Sequence, residues 1–361
     1  IVRKLDADNI GGGWSNYTNV ESGRHIQGLF SVKNQVFSIE ANGKLNALNG
    51  TSSPTTVKDL PAGSLFTSVI DGGSVILAAS DDGYIYAIKD DQSSGLVLAG
   101  QTNIEGEVIV DMTESNGIIF ISTSQSSSGG GKIGRVYQGT IATDGVLYTV
   151  DNRQLIKEFG DNDTTVDKSP TSFFNTRDQI FFGVIDSGTQ TSLYSIYLPT
   201  LGYARNIYYT GSSGTLKGIA KSKGKLFFIV SGVGLIKEAN TLVSDGYIIL
   251  PAADFYTSQA KQWIGGRVYT NAIPAGSSVL AEFSTTLDAL ENPEHTSYST
   301  LTNIETSESG NEVPMINVID RWLVAKLTIN ANSGRTESPE VYSYSYRAFP
   351  EPEDVLARIP I

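Results

Sequence analysis

The densest set of metal-seeking oxygens in this chain is the run Gly160-Asp161-Asn162-Asp163-Thr164-Thr165-Val166-Asp167. Calcium binds through carboxylate and carbonyl oxygens brought together in this way. An EF-hand loop, however, wants glycine where Val166 stands and glutamate where Ser172 stands. The run therefore reads first as a solvated turn and only second as a chance calcium site. Gly129-Gly130-Gly131-Lys132 has the look of a phosphate cradle. A P-loop would need glycine at Ser126 and a hydroxyl residue at Ile133, so a loop tip is the better reading. The two histidines, His25 and His295, stand alone with no metal-ligand spacing around either. No Gly-x-Ser-x-Gly elbow is present to pair a serine nucleophile with a base. No carboxylate spacing argues for a glycosidase pair. The expectation is a chain with no catalytic, cofactor-binding or metal-ligating residues, and not an enzyme.

The elements that would position any such residues are strands. Helical periodicity is nearly absent; Asp288-Ala289-Leu290-Glu291 reads as one isolated turn. A polar or glycine turn followed by a buried-looking β run recurs along the chain. It appears at Asn34 to Ile39, Gly73 to Ala78, Asn116 to Ile121, Asp178 to Phe182 and Gly224 to Ile229. The first apolar residues of these runs fall at 36, 75, 118, 180 and 226, in steps of 39, 43, 62 and 46. Such periods with several strands per repeat predict β-propeller blades. The clearest fragment runs from Leu65 to Lys89. There Val75 to Ala79 reads as a fully apolar inner strand, and Asp71-Gly72-Gly73 and Asp82-Gly83 supply the positive φ of tight hairpins. The long third step predicts one enlarged blade or an extra degraded one.

After Asp245-Gly246 the rhythm changes. Val279, Ala281 and Phe283 share one face, as do Leu323, Ala325, Leu327 and Ile329, and as do Tyr342, Tyr344 and Tyr346. Period-2 strands of this length predict an antiparallel β-sandwich. The tyrosines read first as cross-strand packing and second as a stripe for sugar or protein contact. Residues 303–311 read as an exposed loop and 350–361 as a proline-bearing linker or tail. The expected organisation is a β-propeller of five to seven blades over 1–245 and a sandwich over 246–349.

Composition narrows the partners. The formal net charge is −12, with 24 acids and 19 bases through Asp245 and 14 acids and 7 bases after it. An acidic surface with no basic stripe disfavours nucleic acid. No apolar run is long enough for a transmembrane helix, so no membrane insertion is expected. The absence of cysteine excludes disulfides and thiolate chemistry. The chain opens on Ile1 without a leader and closes on Arg358-Ile359-Pro360-Ile361, which reads as a fragment of a longer polypeptide.

Two resemblances follow from particular phrases. Asp82-Gly83-Tyr84-Ile85-Tyr86-Ala87-Ile88 resembles the repeat of quinoprotein-like propellers over about one hairpin. Sialidase Asp boxes are not matched, since Ser80-Asp81-Asp82-Gly83-Tyr84 lacks their spacing and tryptophan. In the second half come Lys261-Gln262-Trp263, then Ile273 to Thr285, Arg321 to Thr328, and Ser338 to Ala348. The order of these phrases over 245–350 resembles the terminal β-sandwich of bacteriophage tail and tail-tip structural proteins. That resemblance implies a non-enzymatic virion protein of a tail, neck or tail tip, made in the bacterial cytoplasm. Its partners would be other virion proteins, copies of itself in a homo-oligomer, and a host surface receptor or glycan. The alternatives are an extracytoplasmic propeller scaffold and a carbohydrate-binding or carbohydrate-active propeller.

Overall fold

The computed structural model describes residues 2–5, 14–18, 26–33, 35–48, 55–91, 95–188, 190–205, 209, 211–291, 297–306 and 311–350. The chain divides into two compact units, 1–238 and 239–361. Among the described residues only one short helix interrupts the strands.

The first unit opens with an antiparallel pair, β1 (Val2–Leu5) and β2 (Trp14–Thr18). Five antiparallel sheets follow, each a meander in chain order. The first holds β3 (Ile26–Val32), β4 (Gln35–Glu40), β5 (Lys44–Leu48) and β6 (Thr55–Asp59). The second holds β7 (Phe66–Asp71), β8 (Ile76–Ser80), β9 (Tyr84–Asp91) and β10 (Gly95–Asn103). The third, over β11 (Val108–Ser115), β12 (Ile118–Ser126), β13 (Lys132–Thr143) and β14 (Tyr148–Phe159), accounts for the long sequence step as one enlarged blade with two 12-residue strands. The fourth holds β15 (Thr171–Asn175), β16 (Gln179–Ser187), β17 (Gln190–Tyr197) and β18 (Gly202–Arg205), with β19 (Ser212–Ser213) also on β17. The fifth has three strands, β20 (Leu216–Ser222), β21 (Lys225–Val230) and β22 (Gly234–Lys237).

The first strands β3, β7, β11, β15 and β20 lie against one another in that order, so the sheets radiate as propeller blades from a shared axis. The innermost strand of the second blade is thus β7; the apolar run Val75 to Ala79 supplies the next strand outward, β8, and not the inner one. Its two faces have separate duties. Ile76 and Ala78 pack against Phe37, Ile39 and Leu45 of the first blade, while Val75, Leu77 and Ala79 pack against Ile109, Ile119 and Ile121 of the third. A strand covered on both sides reads as continuous rather than alternating hydrophobicity. Phe120 and Val136 meet Ile180, Phe182 and Tyr194 at the next interface, and Phe181 and Leu193 meet Leu226, Phe228 and Val230 at the last.

One device recurs in all five inner strands. The ladder slips by one residue at Ile26/Gly28, Phe66/Ser68, Ile109/Asp111 and Leu216/Gly218, with a wider irregularity at Thr171/Phe174. A bulge bends and twists its strand, which is the deformation a blade needs next to the axis.

The second unit comprises β23 (Asp245–Ile249), β24 (Lys261–Thr270), β25 (Ser278–Ser284), α1 (Leu287–Glu291), β26 (Ser299–Ile304), β27 (Asn311–Asp320), β28 (Val324–Asn330) and β29 (Val341–Pro350). They form two antiparallel sheets in the orders β23-β28-β25-β26 and β27-β24-β29. Val279, Ala281, Ile304 and Leu327 of one sheet close on Val268 and Val313 of the other, giving a β-sandwich. Trp263 is fully buried beside Leu323 and Ala325. The one helix stands where the isolated turn was expected, with Asp288 in its first turn.

Candidate functional site

Of the residues singled out by sequence, the structure brings together the acidic run 160–167 and the glycine run 129–132, through the backbone and through Lys132 and Asp167. His25 and His295 lie outside the described residues. The acidic run folds as a turn on itself: Asp161 Oδ1 accepts from Asp163 N at 3.0 Å and from Thr164 Oγ1 at 3.1 Å. Asp167 is taken by Lys132 at 3.2 Å and by Ser169 N at 3.0 Å. Those contacts hold the Asp167 carboxyl below its ordinary range against the opposing pull of burial. Among the described residues, no group of three or more histidine, cysteine, aspartate or glutamate side chains could hold a metal ion.

The glycine run is the second-to-third strand turn of its blade, and its backbone is zipped to the acidic turn. Gly129 N donates to Asn162 O, Gly131 N to Thr164 O and Lys132 N to Val166 O, at 3.0, 3.0 and 3.1 Å. Related zips tie this end of the earlier blades to the loops that leave them. Leu60 N donates to Gly43 O at 3.1 Å, and Ile104 N donates to Gly83 O at 2.8 Å. A Cβ on Gly83, whose φ is +85°, would sit 2.7 Å from Glu107 O and 2.8 Å from Ile104 O. Asp82-Gly83 is thus a turn that the following loop rests upon.

Among the described residues of the propeller, two carboxylates gather several hydrogen bonds, Glu107 and Asp111. Glu107 accepts from Arg135 Nη1 at 2.7 Å, from Tyr137 OH at 2.8 Å and from Thr123 Oγ1, while Arg135 also reaches Glu158 at 2.5 Å and Gln125 at 2.9 Å. Burial, together with Glu107, pushes the Tyr137 hydroxyl up to about 12. Each charge here is answered within the third blade. The second, Asp111, stands at the bulge of β11. Its carboxylate accepts from Met112 N and Phe173 N, each at 2.8 Å, so it links the inner strands of blades three and four. Ser68 of blade two stands beside it, its Oγ donating to Met112 O at 3.5 Å. The residue keeps some accessible surface, yet its carboxyl is enclosed by protein, and desolvation raises its pKa to about 6 against these hydrogen bonds.

In the sandwich, Tyr344 and Tyr346 pack inward with ring centroids 4.8 Å apart, and Tyr346 meets Trp263 edge-on. Burial raises the Tyr344 hydroxyl to about 12 and Tyr346 further. Tyr342 is exposed, with its hydroxyl on Asn271. The three tyrosines therefore split between packing and surface.

The exposed aromatic that sequence reasoning missed is Tyr256. Phe255 and Tyr256 have φ of 50° and 57°, consecutive left-handed residues of a kind that side chains with a Cβ resist. The surroundings hold them there. Asp254 Oδ1 accepts from Tyr256 N at 2.8 Å, and Ala253 and Leu323 exchange backbone hydrogen bonds at 2.8 and 3.0 Å. Phe255 stacks on Trp263 at 5.5 Å, and the Trp263 indole donates to Asp320 O at 3.1 Å. Beneath the turn, buried Lys261 donates to Gln259 O at 2.9 Å, Arg321 O at 2.8 Å and Thr257 O at 3.4 Å. All of this support ends in Tyr256, whose relative accessibility is 102%. No sequence signal marks the turn, because Phe-Tyr is not a turn pair.

No protein-family profile matches the chain, and no curated protein matches it. Solved structures similar to it include the β-propeller domain of Myceliophteria thermophila Cps50 (Swd1), at 12% identity and a TM-score of 0.44, covering 63% of this chain and 74% of that one. A chain of a mitotic checkpoint complex is similar at 9% identity and a TM-score of 0.42, covering 64% and 69%. The soluble aldose sugar dehydrogenase of Escherichia coli in its apo form is similar at 11% identity and a TM-score of 0.33, covering 46% and 57%.

Proposed function

We propose that this chain is a non-enzymatic contact and assembly module whose sandwich engages a protein or glycan surface through Tyr256. The observation that carries the reading is the cost and placement of that residue. Backbone strain of this kind persists only where neighbouring structure over-determines it, and it collects at functional positions. Here the strain is opposed by a stacked tryptophan and a buried ammonium, and its visible product is an aromatic ring in solvent. Tyrosine offers a large amphipathic contact with little side-chain entropy to lose, which is why it anchors interfaces.

The setting we propose is a bacteriophage virion, as part of a tail, neck or tail tip. It is supported by the order of phrases over 245–350 and by the succession of a propeller and a sandwich. The test uses particles made by the genome that encodes the chain. The chain is expected in fixed ratio to the tail proteins, with antibody label at the tail. Particles carrying Tyr256→Ala should assemble or attach poorly, and Tyr256→Phe should largely restore them. Absence of the chain from purified particles rejects the virion setting; indifference to Tyr256→Ala rejects the contact role.

A further inference from the structure

One carboxyl ties the inner strands of two blades. At the bulge of β11, Asp111 accepts from Met112 N on its own strand and from Phe173 N on β15, each at 2.8 Å. The strand it holds is itself irregular. Between Thr171 and Phe174, Ser172 and Phe173 stand against one residue of β16, Phe182, which makes a second bulge. Ser172 has a φ of 60°, a left-handed conformation that a residue with a Cβ keeps only where its surroundings impose it. Two ties impose it here. Phe173 N is held by Asp111 on one side, and Ser172 Oγ donates to Leu216 O at 3.3 Å on the other.

No cation answers that carboxyl from the strands packed on β11, which are β7, β8, β12 and β15. β8, β12 and β15 hold no charged residue. β7 has only Asp71, at its far end and 3.8 Å from Lys33. β11 itself adds only Glu114, which accepts from Gly117 N at 2.6 Å. None of the five strands holds a histidine, lysine, arginine or tyrosine. A carboxyl enclosed without a cation favours its neutral form, whereas the same group in water ionises above about pH 4. Burial outweighs the two amide bonds here, and the Asp111 carboxyl is pushed up to about 6 from 3.8.

We propose that Asp111 is a pH-operated latch on the bulge of β15, closed on the neutral carboxyl and released as the carboxyl ionises. Release lets Ser172 leave its left-handed conformation and passes Phe173 N and the carboxylate to water. Thr171 Oγ1 on Leu216 O at 3.4 Å and Asn175 Nδ2 on Glu114 O bracket the bulge, so the motion is confined between them. The sign follows from the closed form binding the proton more tightly than the open one. Closure is at full strength below about pH 4, weakens as pH rises toward about 6, and above that stays weakened by about a hundredfold. The latch is in the propeller and does not rest on the contact role of Tyr256, which lies in the other unit.

The experiment is hydrogen exchange of the full chain, followed at single amides and corrected for base catalysis. Protection at Phe173 should fall about a hundredfold between about pH 4 and about pH 7. It should also be indifferent to sub-denaturing urea, because release exposes little surface. Ile121 of the buried strand β12 is the reference, and its exchange should quicken with urea as global unfolding does. Asp111→Asn keeps an acceptor and removes the charge, so its Phe173 protection should be level over the same pH range. Should that variant fail to fold, the parent still decides, through the different urea responses of Phe173 and Ile121. Three results overturn the proposal: Phe173 protection that does not change with pH in the parent, an equal fall in Asp111→Asn, or Phe173 exchange that follows urea as Ile121 does.

Discussion

Replacing Tyr256 by glycine should stabilise the second unit while removing its most exposed aromatic. The side chain is wholly in solvent, so its loss forfeits no packing. The backbone at φ 57° carries a left-handed conformation that costs a residue with a Cβ about 1–2 kcal/mol. Glycine adopts it freely but loses about 0.5–1 kcal/mol more chain entropy on folding. The net gain is about 0.5–1 kcal/mol, or a few degrees in Tm for a unit of this size. Alanine is the control, because it removes the ring and keeps the Cβ; Tyr256→Ala should be close to neutral. Trp263 and Trp322 both belong to the second unit, so tryptophan fluorescence during thermal or urea unfolding reports mainly on it. At the neighbouring position the balance reverses. Phe255→Gly relieves a similar strain but gives up the stack on Trp263, and it should be neutral or destabilising. The reasoning is refuted if Tyr256→Gly is no more stable than Tyr256→Ala, or if both fall well below the parent.

The Asp111 carboxyl titrates near 6 in the folded chain against 3.8 for an ordinary aspartate. A raised folded value means that the native state binds this proton more tightly. Its contribution is fully present below about pH 4 and is lost as pH rises through about 6, a change of about 3 kcal/mol. Urea unfolding of the parent and of Asp111→Asn should show that difference appearing between these pH values, and parallel curves would contradict it. Gly83→Ala should cost at least about 2 kcal/mol more than Gly73→Ala, since both have positive φ but only Gly83 is closed in by the next loop. Equal costs by thermal melting would remove that loop's role. Lys261→Met leaves three carbonyls without their ammonium and should cost about 2–3 kcal/mol, with faster proteolysis at residues 257–259. An unchanged digestion pattern would separate Lys261 from the turn.

The blades were legible because their turns use residues that must be there. Asn42-Gly43 and Asp82-Gly83 announce hairpins, and runs such as Val75 to Ala79 can be so apolar only if both faces are covered. Alternation at Val279 and Ala281, and at Leu323, Ala325 and Leu327, marked the sandwich faces equally well. The five inner-strand bulges left no trace, since Ser68, Asp111 and Gly218 are unremarkable strand residues until the register slips beside them. Asp111 gains its character from Phe173, 62 residues away, and Arg135 from Glu107, 28 residues away; periodicity does not reach so far. The Tyr256 turn was hidden for a different reason. Phenylalanine and tyrosine argue against positive φ, so a local rule fails there, and local rules fail most often where tertiary structure imposes a conformation for use.

The most direct measurement replaces Tyr256 with a photo-reactive phenylalanine analogue and illuminates the chain within particles or with host surface material. Val146, 77% exposed at a propeller turn, is the control position. Covalent capture of one discrete partner from position 256, and none from 146, is the result expected of a contact module. Equal capture from both positions, or none from 256, would contradict it.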